Sequence, residues 1–140
     1  MPELKVDHTA TGANSEPAIS INSLEFAYGD RPVLKGIDLE IPRGVSFGVL
    51  GANGAGKTTL IKMLIGRLKA TKGTAQIFGQ QPGPALADSI GYMPQLNALY
   101  EALSVRENLD FFARMLGLSD KSIRLQAVER AMQLVGLADR

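Results

Sequence analysis

Nine consecutive residues, Gly51-Ala52-Asn53-Gly54-Ala55-Gly56-Lys57-Thr58-Thr59, have the types and spacing to hold phosphate. They fit the pattern G-x-x-x-x-G-K-[ST]. Glycines let the main chain wrap closely around an anion, so that successive N–H groups point inward at its oxygens. Lys57 adds a compact positive charge for the outer phosphates, and the Thr58 hydroxyl is placed to ligate Mg²⁺. A helix starting at Lys57 would aim the positive end of its dipole at the same charge. Chance alone produces such a string in roughly one chain of this length in two hundred. The flanking elements must therefore have the form that a phosphate loop requires.

Those flanks do have it. Gly44 to Leu50 reads as a short buried strand, apolar and opened by glycine. After Lys57, apolar residues at Leu60, Ile61, Met63, Leu64, Ile65 and Leu68 predict a helix with a broad buried face. Upstream, Ile19 and Ile21 alternate with polar neighbours, and Leu24, Phe26 and Tyr28 alternate in a shifted register. An inserted residue near Asn22-Ser23 predicts a bulge. Gly29-Asp30 supplies a turn, and Ile37, Leu39 and Ile41 mark a second strand, giving an antiparallel hairpin ahead of the loop. Tyr28, at the end of the first strand, reads either as core packing or as a platform for a purine ring.

Downstream, Thr74 to Phe78 reads as a strand closed by Gly79, Gln80 to Ala87 as a loop, and Ile90 to Met93 as a strand ending at Pro94-Gln95. Ser104-Val105-Arg106-Glu107 spells a capping box, so a helix should start there. It would carry Leu109, Phe112, Met115 and Leu116 on one side and stop at Gly117. A last helix places Val128, Ala131, Met132 and Val135 on its packed face.

Composition narrows the classes. With 140 residues, 45% hydrophobic and 21% charged, the chain is sized and balanced for a globular domain with its own core. A net charge of +1 without a basic stripe gives no sign of a nucleic-acid partner. The absence of cysteine excludes a disulfide scaffold and thiolate metal sites and fits a reducing cytosol. No apolar run reaches the ~18 residues of a membrane span. Residues 1–17 read as a disordered leader, and His8 within it as chemically idle.

With the phosphate loop, the hairpin and the Gln95 segment in view, the sequence resembles the ATP-binding subunit of an ABC transporter. Leu24 to Gly29 is similar to the segment whose aromatic stacks on adenine. Gly51 to Thr59 is similar to the Walker A loop in its ABC spelling, Ile90 to Gln95 to the Q-loop, and Leu103 to Leu109 to the opening of the helical subdomain. The resemblance covers about 18–140. The Q-loop flanks and Phe111 to Leu118 look most like the exporter-type branch for drugs, lipids or polysaccharides.

The resemblance implies an α/β P-loop NTPase fold of the ABC ATPase type, with an antiparallel hairpin, the start of a core sheet and most of a helical subdomain. It divides the chain into a nucleotide-binding core over 18–95 and a helical subdomain over 96–140. It implies ATP and Mg²⁺ as ligands. Tyr28 would stack adenine, and Gly51, Ala52, Asn53, Gly54, Ala55, Gly56, Lys57, Thr58 and Thr59 would hold the phosphates. Thr58 and Gln95 would hold the metal, Gln95 also reaching the attacking water. The implied partners are a membrane-spanning permease, docked from Gln95 to Leu118, and a second ATP-binding subunit arranged head to tail. The implied location is cytoplasmic, peripheral at the inner membrane face.

Three family features are not found in these 140 residues: the serine-glycine-glycine signature, the Walker B aspartate with its glutamate, and the switch histidine. Leu134 to Asp139 imitates Walker B, but Arg140 follows where the glutamate belongs and the run continues a helical period. The chain therefore resembles the N-terminal half or so of the domain, and alone is expected not to turn over ATP and to fold poorly, with one side of the Val45–Leu50 strand unpaired. Three other readings compete. A P-loop GTPase or kinase would use Asp88-Ser89-Ile90-Gly91, but the chain holds no N-K-x-D guanine reader. A non-catalytic nucleotide-binding or interaction module would need the cradle alone. A soluble ABC ATPase of DNA repair or translation fits the Leu103–Leu118 segment and the lack of a basic surface less well.

Overall fold

Two strands joined by a two-residue turn set the frame: β1, Ile19–Tyr28, and β2, Arg31–Ile41, pair antiparallel from Ile19 opposite Ile41 to Tyr28 opposite Arg31. Gly29 makes the turn with φ 56°, a conformation that costs glycine little. The computed structural model describes residues 16–95 and 98–138, so His8 and most of the proposed leader lie outside the described residues. The chain divides into two compact units, 1–92 and 93–140.

In the first unit the expected bulge is present. Ile21 and Leu24 are both buried with two exposed residues between them, and the pairing register shifts there. Ser23 takes φ 45°, and its N–H donates to Asp38 Oδ1 at 2.7 Å. The third strand, β3, Lys72–Ile77, adds antiparallel to the other edge of β1, giving the order β2-β1-β3. It begins two residues earlier than Thr74, and Phe78 (φ 50°) belongs to the turn that follows. Gly73 makes that pairing feasible: at φ 76°, any Cβ there would fall on the Ser23 carbonyl oxygen of the bulge. The turn after the loop is a helix, α1, Lys57–Leu64, which seats Leu60 and Met63 on a core of Ile21, Leu24, Leu34, Leu39 and Ile41.

Helix α1 stops short of Leu68. Gly66 (φ 73°) donates to Met63 O at 2.9 Å, and Arg67 N–H donates to Lys62 O at 2.8 Å, the paired bonds that close a helix on a left-handed glycine. A Cβ on Gly66 would stand 2.9 Å from the Gly83 backbone, so close chain approach also requires glycine here. Pro84–Ser89, expected as loop as far as Ala87, forms a 3₁₀ helix that buries Leu86.

Two expected strands are not formed. Over 45–49 the chain has no strand assignment, and Leu50 takes part in an isolated bridge. Phe47 packs on the core, but Val45 and Leu50 are exposed, Leu50 by 76%. Ile90 to Met93 is likewise unassigned, with Met93 91% exposed. The reason is pairing: β2 and β3 occupy both edges of β1, and among the described residues neither segment has a neighbouring strand to complete a ladder.

The second unit holds α2, Val105–Met115, and α3, Lys121–Leu134. The capping box is present: Glu107 N–H donates to Ser104 Oγ, and Ser104 N–H donates to Glu107 Oε2 at 2.8 Å. The Ser104 hydroxyl and N–H together hold the Glu107 carboxyl below its ordinary range. Asp120 caps α3 by accepting from Ile123 N–H at 2.9 Å. Gly117 and Gly136 close α2 and α3 with the same bonding that Gly66 gives α1. Gly117 ends α2 where the sequence puts its stop, and Met115 and Leu116 at that end are 70% and 80% exposed. Gly136 ends α3 so that Val135, expected on its packed face, lies past the helix and is 64% exposed. The run from Leu134 is helix end and turn, not strand, and its Asp139 and Arg140 lie outside the described residues.

Val128 and Met132 are the buried apolar residues of α3, and a buried charge lies beside them. Arg124 donates from Nε to Asp110 Oδ1 at 2.6 Å and from Nη1 to the carbonyls of Leu118 and Ser119 at 3.0 and 3.1 Å. Asp110 also accepts from Arg114. This clamp ties α2, α3 and their connection together. The hydrogen bond from Arg124, with help from Arg114, holds the Asp110 carboxyl below its ordinary 3.8. Such a group adds stability above its unfolded-state pKa and loses it as pH falls through that value toward the depressed one. The Asp110→Asn variant should therefore be less stable than the parent at pH 7, since it leaves Arg124 buried without its counter-charge. In urea titrations the deficit should shrink below about pH 4; a deficit unchanged with pH would contradict the clamp.

Candidate functional site

The phosphate-loop residues sit between the end of the hairpin and the start of α1. Gly51, Gly54 and Gly56 all have positive φ (157°, 83° and 99°), backbone conformations that let the chain turn sharply here. Ala55 N–H donates to Ala52 O at 3.2 Å inside it. Lys57 Nζ folds back over the loop and donates to the carbonyls of Gly51 and Ala52 at 2.5 and 2.8 Å. The ammonium is thereby held at the loop rather than left to wander in solvent.

Gly56 caps α1, and among the described residues no side chain accepts from the first-turn N–H groups. Those donors need acceptors, and an anion in the loop suits both their direction and the helix dipole. The paired threonines divide: Thr58 is exposed, while Thr59 is buried, at 8% exposure. Thr59 can therefore serve a phosphate through its backbone N–H, not its hydroxyl.

The hairpin fixes where the loop sits. A Cβ on Gly56 would lie 2.8 Å from Leu34 Cδ2 and 3.3 Å from Val33 Cγ1, so the loop backbone rests directly on β2. Val33 is two residues from Arg31, the partner of Tyr28, which is about 7 Å along a strand. Tyr28 and the loop thus share one end of the unit. Its ring is half exposed and stands edge-on to Phe26 (centroids 4.8 Å apart, 86° between planes). Phe26 buttresses the tyrosine and leaves it surface to offer, a support that alternation alone had not distinguished from core packing.

Gln95 belongs to the second unit, where it is exposed in a bend. Among the described residues no group of three His, Cys, Asp or Glu is placed to hold a metal ion. Of the proposed Mg²⁺ ligands, Thr58 is part of the loop sequence itself and belongs to the first unit. Asp88 lies exposed in the 3₁₀ helix rather than at a strand end, which removes the geometry a GTPase reading needs. A separate open cavity of about 370 Å³, lined by Ile61, Leu64, Ile65, Ile77, Phe78 and Tyr92, is apolar and is not a phosphate site.

Comparison with known proteins matches residues 34–140 to the sequence profile of the ABC transporter family. The chain belongs to that family. This ABC chain is 40% identical over 116 residues to the Nod factor export ATP-binding protein I of Ralstonia nicotianae, covering 81% of the chain and 36% of the relative. It is 37% identical over 125 residues to the linearmycin resistance ATP-binding protein LnrL of Bacillus subtilis, covering 87% and 40%. Among solved structures, cbiO1 of Clostridium perfringens, part of the ABC transporter complex cbiONQ, aligns with TM-score 0.70 at 25% identity, over 88% of this chain and 52% of that one. An ATP-binding subunit of an ABC transporter aligns with TM-score 0.58 at 30% identity, over 74% and 44%. The fold is therefore the α/β P-loop fold of ABC ATPases. The ABC chain spans 36–40% of the length of these two curated relatives. Among its described residues no helix is long and apolar enough to cross a membrane.

If Lys57 is the electrostatic anchor of the loop, Lys57→Ala in the complete protein should weaken ATP roughly ten- to a hundredfold. Adenosine affinity should not change. Calorimetric titration of both ligands checks this, and equal losses would mean that the lysine acts through folding.

Proposed function

We propose that this chain is the nucleotide-binding part of an ABC exporter's ATP-binding component. The observation that carries the reading is the positive-φ glycine loop leading into a helix N-terminus without a side-chain cap, with Lys57 Nζ bonded back to the loop carbonyls. Gly51 to Thr59 bind the phosphates through backbone N–H groups, with Lys57 on the outer pair. Tyr28, braced by Phe26, stacks on adenine. Thr58 and Gln95 hold Mg²⁺, which when bound neutralises phosphate charge during transfer.

The complete protein pairs head to tail with a second ATP-binding subunit, hydrolyses ATP, and drives a membrane-spanning permease from the cytoplasmic side. The names of the curated relatives, export and resistance ATP-binding proteins, support the exporter branch. In the second unit, Leu99, Tyr100, Leu103 and Val105 present exposed apolar side chains near the start of α2, and these form the permease-docking surface. Leu96, in the same proposed docking stretch, lies outside the described residues.

A second reading, a nucleotide-binding module without turnover, uses the glycine loop, Lys57 and Tyr28 alone. ATP turnover by the complete protein decides between the two. Stacking has its own test. Tyr28→Phe should leave ATP affinity nearly unchanged, and Tyr28→Ala should cost ~1–3 kcal/mol. Equal behaviour of the two variants would remove Tyr28 from the site.

A further inference from the structure

Asn108, in the first turn of α2, is the buried residue of that helix, at 5% exposure. Its side chain is spent on the segment that precedes the helix. Oδ1 accepts from Tyr100 N–H at 2.8 Å. Nδ2 donates to the carbonyls of Tyr100, Leu103 and Ser104 at 3.0, 3.0 and 3.1 Å. One amide thus takes both backbone groups of Tyr100 and the two carbonyls that lead into the helix. The segment 98–104 has no helix or strand of its own, and Leu103 N–H to Tyr100 O is its internal backbone bond at 3.0 Å. Its shape rests on Asn108.

The same segment keeps its large apolar side chains outside. Leu99 is 62% exposed, Tyr100 52% and Leu103 36%. The Tyr100 ring is steadied by an edge contact with Phe111, with centroids 4.9 Å apart. A loop stabilised for the fold alone gains by burying apolar groups; this one buries an amide and displays them. Starting α2 does not require Asn108 either, because the Ser104–Glu107 box already satisfies the helix end. We propose that Asn108 is a positioning residue of the docking surface, holding 100–104 so that Leu99, Tyr100 and Leu103 meet the membrane-spanning subunit already ordered. Preordering removes the entropy cost of fixing a loop on binding. The inference rests on the docking reading above.

The test uses the complete protein co-purified with its membrane-spanning subunit. Asn108→Leu removes all four bonds at similar size. Asn108→Asp keeps the acceptor for Tyr100 N–H but sets a carboxylate oxygen against three carbonyls. In both variants, hydrogen exchange over 98–104 should accelerate roughly tenfold or more while α2, α3 and ATP affinity stay as in the parent. Affinity for the membrane subunit should fall by a similar factor, and Leu99→Asp, run alongside, should release that subunit too. Parent-like affinity in both Asn108 variants, with release by Leu99→Asp, overturns the positioning role and leaves the docking surface standing. Retention of the subunit by Leu99→Asp overturns the docking surface and the inference with it. Loss of protection throughout α2 and α3 in both variants makes Asn108 a folding residue and overturns the proposal as well.

Discussion

The first unit depends on one close approach: the backbone of Gly56 against Val33 and Leu34. A side chain there would meet Leu34 at 2.8 Å and would also have to accept φ 99°. Glycine removes both obstacles, so the phosphate loop can lie against the Leu34 and Val33 side chains of the hairpin with no side chain of its own between. From that contact follow the direction of α1, the placement of Leu60 and Met63 in the core, and the sharing of one end with Tyr28. The bulge at Ser23 and its fit to Gly73 serve the same frame from the other edge of β1.

The second unit is held differently. Its buried residues include an amide and a guanidinium, Asn108 and Arg124, each bonded to backbone carbonyls where the chain is neither helix nor strand. Directional bonds of this kind fix connections that apolar contact alone would leave loose, and a buried group left with unmet bonds would be costly. The two apolar positions of α3, Val128 and Met132, contribute area. Asp110, Arg124 and the Arg106–Glu129 pair at 2.8 Å contribute alignment of α2 with α3.

Local rules were the legible ones. The phosphate loop, the hairpin with its inserted residue, the Ser104–Glu107 box and the stop at Gly117 are each written within a few residues. The early end of α1 was legible too, in Gly66, but the apolar spacing continuing to Leu68 masked it. The same error put Val135 on the packed face of α3, since periodicity does not know where a helix stops. Met115 and Leu116 share a side with Leu109 and Phe112 by spacing, yet are exposed at the end that Gly117 closes. Gly44–Leu50 and Ile90–Met93 failed as strands for a non-local reason: a strand is defined by its neighbour, and alternation says nothing about whether one is present. Asn108 and Arg124 left no signal of their burial, because their partners are loop carbonyls fixed by tertiary structure. Phe26 was visible, but its bracing of Tyr28 was not.

The function proposed for this chain rests on the loop being a phosphate cradle, and a ligand series reads that most directly. Titrating the complete protein with ATP, ADP, AMP and adenosine in Mg²⁺ by calorimetry separates the loop from the base platform. A phosphate cradle predicts a steep fall in affinity when the β-phosphate is removed, on the order of a hundredfold between ADP and AMP, with AMP and adenosine then nearly alike. Equal affinity for ATP and AMP would contradict it.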